Sequence, residues 1–493
     1  MKLKKLYIQD YKVLKDFMYE FPKDDKILNN VIIGINGSGK STILEVIAQI
    51  FSDVILRVKS KFGFQLEYSM PNQLDVLIYA ATPDERIILE ITKGKKVVSS
   101  FDIINKEQDI YEIGAEKFSL FDLIPQNIVV YYSGLSEILK KINQPHNELI
   151  AKRYRDGDVS GNRGFFYFQP EHFNIILLSL LSYEYGDVPV FLKEKAKIKG
   201  FQSVTIRLKK PDWARDTIDN FWGARGEVKK FLTYLSENMT SLIEMQNPEL
   251  VDKPGSIIIE AWQDEVIIIT IINQSKLFEI RDFLIEERKL FEILNIMLND
   301  GLLEDISFAL IKDGDEYNNF NILSEGEQQT ITIRGLCELL TNENSIFLFD
   351  EPDTYLHPRW QRQFINEIEN SIEINKSREI TFLTATHSPQ LLSNANPEKT
   401  CVRIIEDGEL IENTPKYYGR EISSILYNLM GVEERNKTIK NDLTNLLTLI
   451  EDEEIKEAEE EFIRLRKILG ETDPDIQNAY LQIKYLKEDE ADS

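Results

Sequence analysis

The sequence is short of the residues on which several chemistries depend. Its 493 positions hold two cysteines and four histidines. Cys337 and Cys401 lie far apart, which excludes a disulfide framework and a cysteine zinc site, and both read as small buried residues. Long apolar runs are missing as well. The longest, around 266–272, is too short to span a bilayer and is rich in β-branched residues, so it reads as a buried strand and no membrane segment is expected. Residues 1–7 are basic but have no apolar run behind them, so no secretory signal is expected and the expected location is the cytoplasm. Positive charge is scarce: 58 Lys and Arg against 83 Asp and Glu give a formal net charge of -25. Such a chain repels nucleic acid unless a local basic surface overrides the total. No internal repeat and no sustained heptad pattern is present, which excludes a long coiled coil.

What is there suits a globular α/β chain of two or three domains, with 42% hydrophobic and 29% charged residues. Residues 1–135 open with strand-like segments at 3–8 and 31–35. A helical stretch follows at 41–58, then strands at 75–80, 87–91 and 127–132. Residues 136–310 are mixed, with helical runs at 173–181, 228–242 and 280–298 and strands at 204–208, 257–261 and 266–271. Residues 311–415 return to strand–helix alternation, and 416–493 read as an acidic helical region. Its apolar positions Ile455, Ala458, Phe462, Leu465 and Leu469 form a helical stripe. The final 43 residues carry about fifteen acids against six bases, so the polar face is a solvated surface or a dock for a basic partner.

Four motifs carry chemistry. The run Gly34-Ile35-Asn36-Gly37-Ser38-Gly39-Lys40-Ser41 follows an apolar strand and opens a helix. Glycines there let backbone N–H groups curl around phosphates, and the helix N-terminus adds its positive dipole end. Lys40 neutralises the β- and γ-phosphates and the Ser41 hydroxyl ligates Mg²⁺, with Asn36, Gly37, Ser38, Gly39 and Thr42 completing the cradle. The second motif is an apolar strand, 345–349, that ends in Asp350 and Glu351, followed by Pro352. Ligands sit at such strand ends in α/β sheets. Asp350 is placed to hold the metal and Glu351 to act as general base. Third, Leu323-Ser324-Glu325-Gly326-Glu327-Gln328 precedes a helical run, and Ser324 with Glu327 makes a capping box. Fourth, an apolar strand ends in His387.

The order of these motifs resembles the ABC ATPase superfamily, and especially its SMC/RecF-like branch. The resemblance implies an α/β head: a P-loop mixed sheet with flanking helices, an inserted α+β middle region and a helical C-terminal region. It also implies that Ser324, Gly326 and Glu327 complete the nucleotide site of a second copy, in a homodimer or higher even oligomer. Asp353 would be an interface residue, as in the family's D-loop. His387 would be the switch histidine that hydrogen-bonds the γ-phosphate, and Lys12, after the first strand, would contact nucleotide. No Q-loop glutamine is assigned. Gln126 and the stretch Tyr131 to Gly134 are the region where one belongs.

About 280 residues separate the phosphate loop from the signature. That is too many for a transporter ATPase, and the coiled coil of an SMC protein is missing, so a compact insertion is expected. His146 and His172 show no metal-ligand spacing, and four histidines leave no room for an HNH nuclease centre beside His387. The single acidic cluster after it, Asp473 and Asp475, reads as an interhelical turn. The C-terminal region resembles the ATPase subunit of the Septu defence system and the ATPases of some retrons, which implies control of a separate HNH nuclease. The alternative is a RecF-like repair ATPase that binds DNA directly. Its candidate surface is 193–210, where Lys193, Lys195, Lys197, Lys199, Arg207, Lys209 and Lys210 alternate as on a strand with one basic face.

Overall fold

The computed structural model describes the chain apart from residues 25, 28, 71–73, 94–95, 105–109, 114–115, 135, 156–163, 215–219, 243–265, 313–322, 343, 375–378, 412–413, 423, 426, 428–434 and 493. The chain divides into two compact units, Met1–Gly419 and Arg420–Ser493.

The first unit begins with strands β1 (Lys2–Tyr11), β2 (Leu14–Glu20) and β3 (Asn29–Ile33), then helix α1 (Lys40–Leu56). Strands β4 (Phe64–Met70), β5 (Leu74–Ala80), β6 (Ile88–Lys93), β7 (Lys96–Asp102), β8 (Ile110–Ile113), β9 (Glu116–Ser119) and β10 (Asn127–Tyr132) follow. Next come α2 (Glu137–Arg155), β11 (Gly164–Tyr167), α3 (His172–Leu181), α4 (Asp187–Glu194), β12 (Ile198–Lys209), α5 (Gly226–Asn238), β13 (Thr240–Leu242) and β14 (Val266–Ile271). The unit ends with α6 (Gln274–Leu284), α7 (Glu287–Asn299), β15 (Leu303–Lys312), α8 (Glu325–Leu340), β16 (Asn344–Asp350), α9 (Pro358–Ile374), β17 (Glu379–Thr386), α10 (Pro389–Ser393), β18 (Thr400–Glu406) and β19 (Glu409–Ile411).

Three larger sheets organise it. One has seven strands in the order β11-β10-β16-β17-β3-β18-β19, parallel except for the final hairpin. The interior strand β16 is buried at every position, as a parallel strand covered on both faces must be. A six-stranded antiparallel sheet runs β2-β1-β4-β5-β6-β7, with alternating burial along β5. One apolar core joins Leu6, Leu66 and Ile78 of that sheet to Ile128, Ile346 and Leu383 of the parallel sheet through Ile43, Ile47 and Val54 of α1. Helix α1 is therefore buried nearly all round, with Glu45, Gln49 and Asp53 enclosed along with its apolar residues. The third sheet, β13-β14-β12-β15, is antiparallel and packs against α3, α4, α6 and α7. This is the α/β head architecture that the motif order implied.

Some expected elements differ. The run 228–242 is not one helix: α5 stops at Asn238, and Thr240–Leu242 pairs with β14 instead, because sheet pairing satisfies that backbone where a longer helix would leave β14 an open edge. The run 280–298 breaks at Ile285, whose φ of 74° lies outside the helical region, so two amphipathic helices share one apparent period. The strand expected at 31–35 ends at Ile33. The strand expected at 257–261 lies outside the described residues. The basic segment is not one strand either, since Lys193 lies on α4 and Lys195 caps it.

The second unit holds α11 (Lys437–Glu451), α12 (Ile455–Leu469) and α13 (Pro474–Asp492). Leu446, Leu465, Ile476 and Ala479 are buried in its small core. Asp473 begins α13 as the expected turn: its Oδ1 accepts from Asp475 N at 3.0 Å, and Arg435 Nη2 donates to both carboxylate oxygens. Among the described residues, no helix is long and apolar enough to cross a membrane.

Candidate active site

Register alone gathers the site. In the parallel sheet Asp350 pairs with Ala385, and Thr386 pairs with Ile33. The C-terminal ends of β3, β16 and β17 therefore lie side by side, and each leads directly into one of the motifs: the phosphate loop, the acidic pair and His387. Parallel strands deliver their following loops to the same edge, so residues some 350 positions apart meet there.

The phosphate loop is a tightly braced turn. Gly39 takes φ 111° at the N-cap of α1, and Gly37 takes φ 83°. Gly34 is required by close approach, since a Cβ there would lie 2.2 Å from the Ile405 carbonyl oxygen. The loop backbone is also tied to the β18–β19 turn, where Gly408 N donates to Ser38 O at 3.0 Å. Asn36 and Ser41 are exposed, and Thr42 is half-buried. Lys40 is 5% exposed and its Nζ donates to the carbonyls of Gly34 at 2.8 Å and Ile35 at 3.2 Å. Burial pushes its pKa down, opposed by the nearby Glu351 and Asp350 carboxylates.

Asp350 is 4% exposed. Burial raises its pKa to about 6, a hydrogen bond from Ser41 and the charge of Lys40 oppose the rise, and Glu351 and Glu45 add to it. Its Oδ1 and the Ser38 hydroxyl are both buried without a hydrogen-bond partner. A buried carboxylate with one unpartnered oxygen, hydrogen-bonded by Ser41 on a strand end next to a phosphate loop, is the donor chemistry that Mg²⁺ takes, so Asp350 and Ser41 fit a Mg²⁺-nucleotide. Glu351 adopts φ 51° and its N–H donates to Ala385 O at 2.8 Å. That strained turn aims the carboxylate at His387: Nδ1 lies 2.6 Å from Glu351 Oε2, and His387 N donates to the same oxygen at 3.3 Å. The His387 side chain remains 58% exposed.

The remaining expected residues fall in different settings. Ser324 caps α8 with the full capping box: Glu327 N donates to its Oγ at 3.3 Å and Ser324 N donates to Glu327 Oε2 at 2.8 Å. Lys312 pairs with Glu327 at 2.9 Å, so this carboxylate is occupied by the cap and the lysine. Ser324 is exposed, and Gly326 sits against the Tyr355 carbonyl, where a Cβ would lie at 3.0 Å. Asp353 does not face outward. It is 2% exposed and its Oδ1 accepts from Thr386 Oγ1 at 2.9 Å, tying the loop after β16 to the end of β17. Lys12 reaches Glu45 of α1 at 2.7 Å, and Tyr11 Oη donates to the other oxygen of that carboxylate. His357 is exposed and its Nδ1 accepts from Arg359 N, which places it at the start of α9. His146 and His172 are interior groups: Ser52 Oγ lies 2.8 Å from His146 Nε2, Gln169 N donates to His172 Nδ1, and burial pushes both pKa values down to about 4. Among the described residues no cluster of three or more His, Cys, Asp or Glu could hold a metal ion.

A family model for the AAA ATPase domain matches residues 1–392. The chain belongs to this ATPase domain family. It is 23% identical over 465 residues to the retron Vc95 probable ATPase of Vibrio cholerae serotype O1 biovar El Tor, covering 86% of this chain and 78% of that protein. It is 30% identical over 124 residues to the retron Ec83 probable ATPase of Escherichia coli, covering 23% of this chain and 22% of that one. Among solved structures it resembles an SMC head bound to the C-terminal winged-helix domain of ScpA, at 14% identity and a TM-score of 0.34, covering 83% of this chain and 98% of that one. An overlay at that TM-score decides nothing about the site; the strand register does.

Two residues of the site escaped sequence reasoning. Glu45 is a mid-helix glutamate by pattern, yet it is 8% exposed, clamps Tyr11 and Lys12, and acts on Asp350. Tyr132 lies in the stretch expected to hold the Q-loop, which gives it no role; it pairs with Asp350 across the sheet, and burial plus the Asp350 and Glu351 charges raise its pKa. Gln126, by contrast, lies at the opposite strand end, where its N–H donates to Asn344 O.

Proposed function

We propose that the chain is a cytoplasmic ATPase that binds MgATP at the β3–β16–β17 edge, closes as a homodimer or higher even oligomer around it, and gates a separate HNH nuclease in anti-phage defence. The observation that supports the chemistry best is the cluster of Lys40, Ser41–Asp350 and Glu351–His387 at one sheet edge. The Lys40 ammonium, now held by loop carbonyls, exchanges them for β- and γ-phosphate oxygens, with the loop N–H groups from Asn36 to Thr42 around the phosphates. Ser41 and Asp350 would hold Mg²⁺, which would supply neutralisation of the phosphate charge when bound. Glu351 takes the proton of a water as that water's oxygen attacks the γ-phosphorus and the bond to the ADP oxygen breaks. His387 positions that water and the γ-phosphate. Ser324, Gly326 and Glu327, at the dipole-positive start of α8, complete the site of a second copy. The internal tie of Asp353 to Thr386 makes it a brace for the loop that reaches the interface, and Lys12 reaches nucleotide on leaving Glu45. The division at 135, 310 and 415 is the corresponding lobe assignment.

The retron ATPases support the defence reading, and the acid-rich C-terminal region supports a basic partner. A DNA-binding reading retains one favourable observation: Lys193, Lys197, Lys199 and Lys209 are exposed. Two other bases of that segment are neutralised, Arg207 by Glu304 at 2.6 Å and Lys195 by Glu367 at 3.2 Å, so it ranks second. The experiment is ATP retention and phosphate release by the purified chain, with co-expressed neighbouring gene products assayed for plasmid cleavage. A chain that neither retains nor hydrolyses ATP overturns the ATPase reading. Cleavage by the chain alone overturns the division of labour.

A further inference from the structure

The imidazole of His387 is 58% exposed, so neighbouring side chains do not enclose it. Its place is set by the backbone that carries it and by Glu351, whose Oε2 it meets at 2.6 Å. The flanking residues are the opposite case. Thr386 and Ser388 are both buried, and each carries a hydroxyl. Buried hydroxyls are expected to find hydrogen-bond partners. Both find them in one short stretch of chain, residues 353–361.

Thr386 Oγ1 donates to Asp353 Oδ1 at 2.9 Å and accepts from Ser388 N at 3.0 Å, so a single hydroxyl spans His387. Gln361 closes the other side. Its Nε2 donates to the Asp353 carbonyl at 2.9 Å, and its Oε1 accepts from Ser388 Oγ at 3.3 Å. The bonds form a ring that runs from Asp353 through Thr386, Ser388 and Gln361 back to Asp353. The Ser388 proton is shared, because Gln390 Oε1 lies 3.1 Å away and the Asp353 carboxylate is also within reach. Without Gln361 that hydroxyl turns to its other acceptors, and the Asp353 carbonyl loses its donor.

The start of α9 puts Gln361 in place. The His357 carbonyl accepts from Gln361 N at 3.1 Å, and His357 Nδ1 accepts from Arg359 N at 3.2 Å, so His357 caps the helix. Pro358 takes the first helical position, which its fixed φ suits. Helical side chains lean towards the N-terminus, so Gln361, in the first turn, reaches back to the loop that begins at Asp353. The ring needs a donor and an acceptor in one uncharged group, which an amide supplies; a carboxylate lacks the donor. We infer that Gln361 is a positioning residue for His387. With Thr386, and through Asp353 and Ser388, it fixes the backbone from which the imidazole reaches Glu351 and the attacking water. The inference rests on the ATPase reading, which gives His387 its substrate.

The test is turnover of ATP per retained nucleotide by the full chain with Mg²⁺, measured beside ATP affinity. Gln361→Ala lowers kcat roughly ten- to a hundredfold, the cost of a small misplacement of a reacting group, and leaves ATP affinity within about twofold. Thr386→Val keeps the shape, removes the hydroxyl and gives the same split, whereas Thr386→Ser stays near wild type. A merely structural loss at the start of α9 lowers ATP affinity together with kcat and does not distinguish Val from Ser at position 386. Gln361 is only half-buried, so its alanine variant decides even where Thr386→Val does not fold. Unchanged kcat in Gln361→Ala overturns the inference, as does equal loss in Thr386→Val and Thr386→Ser, or loss of ATP binding in step with turnover. Any of these beside normal wild-type turnover overturns this inference alone; a wild type without turnover overturns the ATPase reading with it.

Discussion

Charge is handled in opposite ways at the edge of the parallel sheet and in the unit Arg420–Ser493. At the sheet edge Lys40, Asp350 and Asp353 are all at most 5% exposed, and burial moves each pKa away from its ordinary value. Asp350 even keeps one carboxylate oxygen without a partner. In the three-helix unit the charges lie outside and pair with one another, as Arg464 does with Asp442 and Glu461, and Arg435 with Asp473 and Asp475. Buried charge is costly and exposed ion pairs contribute little, so the first arrangement persists only where chemistry needs it. The contrast is the one expected between the proposed reaction centre and a solvated helical surface.

The contrast can be broken or sharpened by substitution. The largest effect is expected at the sheet edge: Glu351→Gln lowers ATP turnover by roughly 10²–10⁴-fold, the usual contribution of a general base, while ATP remains bound. Phosphate-release rates and retained nucleotide measure both. Next, Lys40→Ala weakens ATP binding at least about a hundredfold, because it leaves the phosphates facing Asp350 and Glu351 without a counter-charge.

Asp350→Asn is expected to stabilise the first unit while abolishing Mg²⁺-dependent turnover. The folded pKa of Asp350 is raised from its ordinary value to about 6, so the carboxylate opposes folding at neutral pH by an amount on the order of 3 kcal/mol. The opposition fades as pH falls through 6, since the folded state then takes the proton first. Melting temperatures of wild type and Asp350→Asn should therefore differ at pH 8, draw together as pH falls below 6, and converge only below the ordinary value of 3.8. The buried histidines act with the opposite sign. With folded values near 4, His146 and His172 support folding fully above their ordinary value and lose that support as pH falls from about 6.5 to 4. The smallest effect belongs to the tail: Arg464→Ala leaves the melting temperature unchanged, and a clear loss there would break the comparison.

Much of the site was legible in the chain because its chemistry depends on contiguous residues. A phosphate loop needs glycines at fixed offsets before a helix, and the strand ending in Asp350 and Glu351 and the Ser324 capping box are equally local. The residues read less well are those whose role depends on what folds against them. Asp353 looks like a loop carboxylate until β17 brings Thr386 to it, and Glu45 looks like a surface glutamate until Lys12 and Tyr11 arrive. Helices 228–242 and 280–298 were over-extended for the same reason: apolar period does not report where a neighbouring strand or helix forces a turn.

By itself the sequence determined the local conformations: where the backbone must take positive φ at Gly37 and Gly39, which strands are buried on both faces, and which helix begins at a serine cap. Tertiary structure alone decided the register that sets Asp350 beside Ala385 and Thr386 beside Ile33, the burial that shifts Lys40 and Asp350, and the bonds from Asp353 and Gln361 that bracket His387. The reason is physical. Backbone preference and hydrogen-bond caps act over a few residues, whereas desolvation and strand pairing depend on segments hundreds of positions away.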